Sequence, residues 1–228
     1  MKGTIVNTIT VIIGSIAGLF LGSKLPKRVK NTVIQSIGLF TGLIGISMIL
    51  KTQNYLIVFL SIVLGGFTGE SLNLELHLTN SIERIKNKIK PNSSNFVEGF
   101  ITATVIFCVG AMTVVGSIQE GLTGDATLLY TKSLMDGVTS ITLASGLGIG
   151  VLFSSISVLL IQGSLTLLGR SLQFLTAPAY INNLTATGGL LIVAISLELI
   201  GVKKLKIINL LPSLIYAPLL VFLKTIIF

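Results

Sequence analysis

Charged residues cut the chain into uncharged runs at positions 3–23, 31–50, 52–69, 99–119, 137–169, 171–197 and 207–223, which hold 21, 20, 18, 21, 33, 27 and 17 residues. A helix needs about 20 residues to cross the hydrocarbon layer of a bilayer. The pattern therefore predicts membrane-spanning helices, with spans 1 to 4 at roughly 4–22, 31–50, 54–69 and 98–118. The run at 137–169 is too long for one span, but extended back to Ala126 it holds 44 residues. That is enough for spans 5 and 6 near 127–145 and 147–169, with a reversal at the glycines of 145–148. Spans 7 and 8 follow near 182–201 and 207–226. The fold class expected is an all-α, polytopic membrane protein of about eight helices, alternatively seven, forming a single membrane domain over residues 1–228.

One long hydrophilic stretch interrupts this pattern, at residues 70–96. Within it Leu74, Leu78, Ile82, Ile85 and Ile89 recur at helical spacing, with Glu75, Thr79, Glu83 and Lys86 on other faces. A cytoplasmic linker carrying an amphipathic helix over 74–90 is predicted, ended by Pro91-Asn-Ser-Ser-Asn.

Composition agrees with the pattern: 51% hydrophobic, 11% charged and a mean hydropathy of +0.93 exclude a soluble domain. The net charge of +8 does not point to nucleic acid, because the basic residues sit in short clusters between apolar runs. Such clusters set topology. Eight spans put 11 of the 16 Lys and Arg on the cytoplasmic side and 5 outside, whereas seven give 10 and 6, so eight spans with both ends outside are preferred. Spans 2 and 7 share Asn, Gly and Leu at a fixed offset, from Asn31 and Asn182, and run oppositely. This admits an inverted repeat of helices 1–3 and 6–8.

Ionisable groups inside a span need a reason, because hydrocarbon disfavours charge. Asp136 falls halfway along span 5 with Lys132 four residues earlier, on the same face. The pair reads either as an ion or proton site or as a self-neutralised structural pair. A second candidate runs from Phe107 to Asp125, where Gly110, Gly116, Gly121 and Gly124 predict an unwound or closely packed helix and Ser117 and Gln119 supply polar groups. A third is Thr185, Thr187, Gly188 and Gly189, preceded by Asn182 and Asn183. Broken helices there would expose backbone groups to a ligand; close packing through small residues needs none.

Enzymes fare poorly against this inventory. His77, the one histidine, lies in the hydrophilic stretch, Cys108 has no partner for a disulfide, and no phosphate-binding glycine motif is present. No enzymatic activity and no cofactor are expected, and a metal ligand set is left unassigned.

The strings Phe107-Cys-Val-Gly-Ala-Met with Gly116-Ser-Ile-Gln, Lys132-Ser-x-x-Asp136-Gly, Gly148-Ile-Gly-Val, Thr185-x-Thr187-Gly-Gly, and Asn209-x-x-Pro212 with Ala217-Pro218 resemble a family of bacterial inner-membrane proteins of unknown function. It includes the YqgA-like and YdfK-like proteins, and the likeness covers almost the whole chain. The resemblance implies a bacterial plasma-membrane location and a transporter-like role, with no substrate or catalytic residue to carry over. The expected function is a secondary transporter or ion-coupled permease for an ion or small polar solute. Its site would lie near the bilayer midplane and draw on Asp136, Lys132, Ser117, Gln119, Gly110 and Thr185–Gly189. The alternative is a non-transporting membrane scaffold or lipid- or partner-binding protein. Expected partners are the bilayer and a small solute or ion, no nucleic acid, with homo-oligomer formation left open.

Overall fold

The computed structural model describes residues 1–89 and 95–227. Its elements are α1 (Lys2–Ser23), α2 (Lys27–Ile49), α3 (Tyr55–Ser71), α4 (Leu74–Ile89), α5 (Phe96–Cys108), α6 (Ala111–Thr123), α7 (Thr127–Leu147), α8 (Gly150–Leu167), a 3-10 turn (Gln173–Thr176), α9 (Pro178–Leu199), α10 (Ile207–Leu210) and α11 (Ser213–Ile227). No strand occurs among the described residues. Five segments are long and apolar enough to cross a membrane, and two bent pairs, α3 with the start of α4 and α5 with α6, raise the number to seven. α7, 21 residues long, is not one of these, and counting it as a crossing is compatible with the eight expected. The break expected at Pro91 falls on residues 91–94, outside the described residues.

Large apolar side chains point outward all round the bundle, among them Phe20, Leu39, Phe67, Leu134 and Ile215, each more than 65% exposed. Water would not tolerate such a belt, and lipid requires it. Inside, Phe107, Leu143, Leu147, Val151, Leu191 and Ile195 form the centre of the apolar core.

Small residues decide which helices touch. Along α1, a side chain at Gly3 would collide with Leu129, at Gly14 with Gly137 and Ser140, and at Gly22 with Ser145, so α1 and α7 run parallel in close backbone contact. Gly38 meets Ile200 and Gly45 meets Gly189, so α2 and α9 are antiparallel. Gly65 against Ser213 and Gly69 against Asn209 make α3 antiparallel to α10 and α11. Gly150 seats on the Phe96 carbonyl while Thr104 Oγ1 donates to Ser157 Oγ at 3.1 Å, so α5 runs parallel to α8. These directions alternate along the chain as eight crossings require. α1 packs on α7 and α8, α2 on α9, α3 on α11, and α8 on α5 and α6.

One face of the bundle carries Met1, Lys51, Arg170 and Lys224, and the opposite face carries Lys24, Lys203, Lys204 and Lys206. The reversal between α7 and α8 is made by Gly148, whose φ of 83° favours glycine. At the Lys24 face α4 turns away from α3 by 62°. It is held there by Asn209, whose Oδ1 accepts from the Glu75 amide at 2.7 Å and whose Nδ2 donates to Glu70 at 2.7 Å.

Candidate functional site

The fourth crossing is discontinuous. α5 ends at Cys108, α6 starts at Ala111, and the two axes differ by 59°. Gly110 is extended between them, and Thr113 Oγ1 donates to the freed Phe107 carbonyl at 2.8 Å. The bend turns the Ser117–Glu120 face of α6 toward the start of α1, where the Gly3 amide donates to Glu120 Oε1 at 2.8 Å and the Met1 amine lies 3.0 Å from the same oxygen. Glu120 is only 5% exposed.

One to two turns deeper the same face of α1 presents Asn7, with no exposed surface. Its Nδ2 donates to Asp136 Oδ2 and to Gln162 Oε1, both at 2.9 Å, joining α1, α7 and α8. Lys132 donates to the same Asp136 oxygen, and both members of this ion pair are buried. Thr4 and Thr166 approach to 3.4 Å above Asn7, Thr166 also donates to the Gln162 carbonyl, and Ser133 donates to the Leu129 carbonyl. The result is a connected polar network inside an apolar bundle.

It is an incomplete network. Buried polar atoms are almost always hydrogen-bonded, because an unmet one costs about 1–3 kcal/mol. Yet Asn7 Oδ1, Ser117 Oγ, Glu120 Oε2 and Gln162 Nε2 have no protein partner. Ser15 Oγ, Glu75 Oε2 and Ser213 Oγ are likewise unmet but lie singly elsewhere, whereas these four belong to three helices in mutual contact.

The residues singled out in the sequence distribute unevenly around it. Asp136 and Lys132 lie at its centre, and Ser117 is fully buried on its α6 wall. Gly110 is at the helix break. Gln119 instead faces the α6–α7 turn, where its Nε2 donates to Asp125 at 2.8 Å. Thr185, Thr187, Gly188 and Gly189 lie in α9, and the discontinuity expected there is absent. Pro178–Leu199 is one unbroken helix, because Thr187 Oγ1 bonds back to the Asn183 carbonyl and the two glycines seat against Val109 and Gly45. That arrangement is close packing. Asn7, Glu120 and Gln162 were missed by the sequence reading, although an Asn or Gln within an apolar span, and a Glu three residues after Ser117, were signals available to it.

Three openings lie apart from the network. A cleft of about 260 Å³ at the Lys24 face is lined by Glu75, Glu98, Glu198 and Lys204. A vestibule of about 740 Å³ at the Met1 face is lined by Gln53, Asn54, Asn182, Asn183 and Lys224. A side cavity of about 400 Å³, walled by apolar residues including Phe100, Cys108 and Ile161, lies against α5 and α8. Among the described residues no group of three or more His, Cys, Asp or Glu is placed to hold a metal ion.

The chain matches the family described as Protein of unknown function (DUF554) over residues 2–222. It belongs to the DUF554 family. It is 34% identical to the uncharacterized membrane protein YdfK of Bacillus subtilis (strain 168), covering 97% of this chain and 96% of that protein. It is 31% identical to the uncharacterized protein YqgA of Escherichia coli (strain K12), covering 94% of each. No solved structure matches. The DUF554 assignment and the helix composition agree on a helical membrane protein, and the buried network is the chemical feature that its fold adds.

Proposed function

We propose that this DUF554 protein is an ion-coupled secondary carrier for an ion or a small polar solute, working in the bacterial plasma membrane with its Lys24 face in the cytoplasm. The observation that supports the reading is the Lys132–Asp136 pair, held with Asn7 and Gln162 inside the bundle and bordered by unmet polar atoms. A purely structural ion pair stabilises little unless every lone pair and proton around it is satisfied. A network left open is suited to receive a species that passes through. The bent α5–α6 crossing beside it and the oppositely directed triplets are devices that carriers use to expose one site to each side in turn. The exterior placement of the Met1 face follows from the basic clusters on the other face.

In this mechanism Asp136 exchanges Lys132 for a cation or proton, and Asn7 keeps the carboxylate oriented during the exchange. A thermal-stability screen of purified protein against inorganic ions and small metabolites, run in parallel on Asp136→Asn, tests the proposal. Wild type should gain stability with at least one such compound and the variant should not. A protein that responds to lipid alone across the panel would instead be the scaffold considered above.

A further inference from the structure

The cleft at the Lys24 face and the apolar side cavity adjoin. Ile101 of α5 and Ile208 of α10 line both the 260 Å³ cleft and the 400 Å³ cavity, so the two openings meet at these side chains. From there the cavity follows α5 past Thr104 to Cys108 and Val109 at the break in the fourth crossing, and reaches Leu165 of α8 and Leu184 of α9. The two hydroxyls on its wall, Thr104 and Ser157, are bonded to each other. Water finds little to bond to in such a space. Its volume is on the scale of small-molecule sites, roughly 300–1,000 Å³.

The cleft has the opposite character. Glu75, Glu83, Glu98 and Glu198 line it against one cation, Lys204, whose ammonium is 3.8 Å from Glu198. Among the described residues Glu98 has no ion-pair partner, and Glu75 Oε2 is buried without a hydrogen bond. Carboxylates gathered in a partly buried cleft repel one another, and a positive group must offset them. The two faces of α4 follow the same division: Leu78 and Ile82 line the apolar cavity, while Glu75, Thr79 and Glu83 line the cleft. The amphipathic pattern of α4 therefore matches the two openings it covers.

We propose that the joined cleft and cavity form a binding site for a lipophilic organic cation, its apolar tail lying along α5 and its ammonium among Glu75, Glu98 and Glu198. Charge selects this occupant for the groove. A fatty acid or an anionic lipid would press a negative head against the carboxylates. Phosphatidylethanolamine carries an ammonium, but its phosphate lies between tail and amine and would stand at Ile101, one helical turn from Glu98. An inorganic cation would fill the cleft and leave the cavity unused. The site is apart from the Asp136 network and does not depend on the carrier reading.

Saturable binding of tritiated octyltrimethylammonium to the full-length protein in phosphatidylcholine nanodiscs, corrected for uptake by protein-free discs, tests the inference. Expected is binding that unlabelled octyltrimethylammonium displaces. Octyl sulfate and octyl glucoside, which share the tail without the charge, should displace it poorly, as should tetramethylammonium, which shares the head alone. Glu98→Gln and Glu198→Gln should each weaken binding about tenfold. Ile161→Trp, at an exposed position on the cavity wall, should abolish it by filling the space. Asp125→Asn removes an exposed carboxylate in the α6–α7 turn and should leave binding unchanged. Thermal unfolding checks that each variant is folded, and the competition series on wild type decides whichever variants fold. Equal displacement by all three octyl compounds would reveal an apolar lipid groove, and displacement by tetramethylammonium as strong as by the full amphiphile a simple cation cleft. Either result, or the absence of saturable binding, would overturn the inference.

Discussion

At the residue scale the network turns on one carboxylate with two side-chain N–H partners, the Lys132 ammonium four residues away and the Asn7 amide, which sequence spacing does not connect to it. Lys132 and Asp136 were legible because four residues on a helix is contact distance. Asn7 and Gln162 were not, since 129 and 155 residues separate Asn7 from its partners and each lies alone in an apolar run. Removing one charge strands the other. Asp136→Asn should therefore cost about 3–5 kcal/mol of stability, and the Lys132→Met, Asp136→Leu double change should recover most of it, as read by thermal unfolding in detergent. Asn7→Leu keeps the ion pair but leaves Gln162 Oε1 without its donor, and should cost less, about 1–3 kcal/mol. Equal losses for Asn7→Leu and Asp136→Asn would mean that the amide, not the charge, dominates the interior.

Elements were read well where length alone decides and poorly where partners decide. The uncharged runs gave the crossings because bilayer thickness fixes helix length, and the glycines at 110, 116, 121 and 124 pointed to an irregular fourth crossing, whose break falls at Gly110. Thr185–Gly189 has similar composition but stays helical, because α2 supplies Gly45 and Met48 for it to pack on, and that complementarity cannot be seen from one segment. Gly189→Ala would bring a methyl group 2.6 Å from the Gly45 carbonyl oxygen, so it should cost about 1–3 kcal/mol by prising α2 from α9. Thr187→Val gives up only a bond within its own helix and should unfold near the wild-type temperature. A fall in folded yield equal for both would contradict the packing role.

The attachment of α4 makes a further prediction at this scale. Lys206 donates to Glu70 at 2.5 Å, and this bond lifts its ammonium above the ordinary lysine value of 10.5. A base with a raised value stabilises the folded form throughout the range below the ordinary value, and the contribution fades as pH climbs through the raised one. The protection of α4 amides, measured against their intrinsic exchange rate at each pH, should thus be unchanged by this pair across neutral pH. Because Lys206 and Glu70 are both exposed, the pair contributes little on its own. Asn209→Ala, which removes both anchoring bonds, should speed exchange at Glu75 and its neighbours more than Lys206→Ala does.

Across the whole molecule, chain direction is the property most firmly tied to sequence, through the basic clusters, and helix pairing the least. Which glycine seam meets which partner depends on surfaces that match only once folded. If the Lys24 face is cytoplasmic, reporters placed after residue 204 should score inside and a reporter at residue 124, in the α6–α7 turn, should score outside. Opposite scores at both sites would invert the carrier without altering its network, whereas equal scores would remove a crossing between them.

The central claim is that the buried network transports and does not merely pack. Its most direct measurement is uptake into proteoliposomes of whichever compound stabilises the purified protein, compared among wild type, Asp136→Asn and the Lys132→Met, Asp136→Leu double variant at matched folded amounts. The account predicts uptake by wild type alone, with the double variant folded, stable and inactive. Wild-type uptake in that stable double variant would contradict it, and would leave Lys132 and Asp136 as a structural pair.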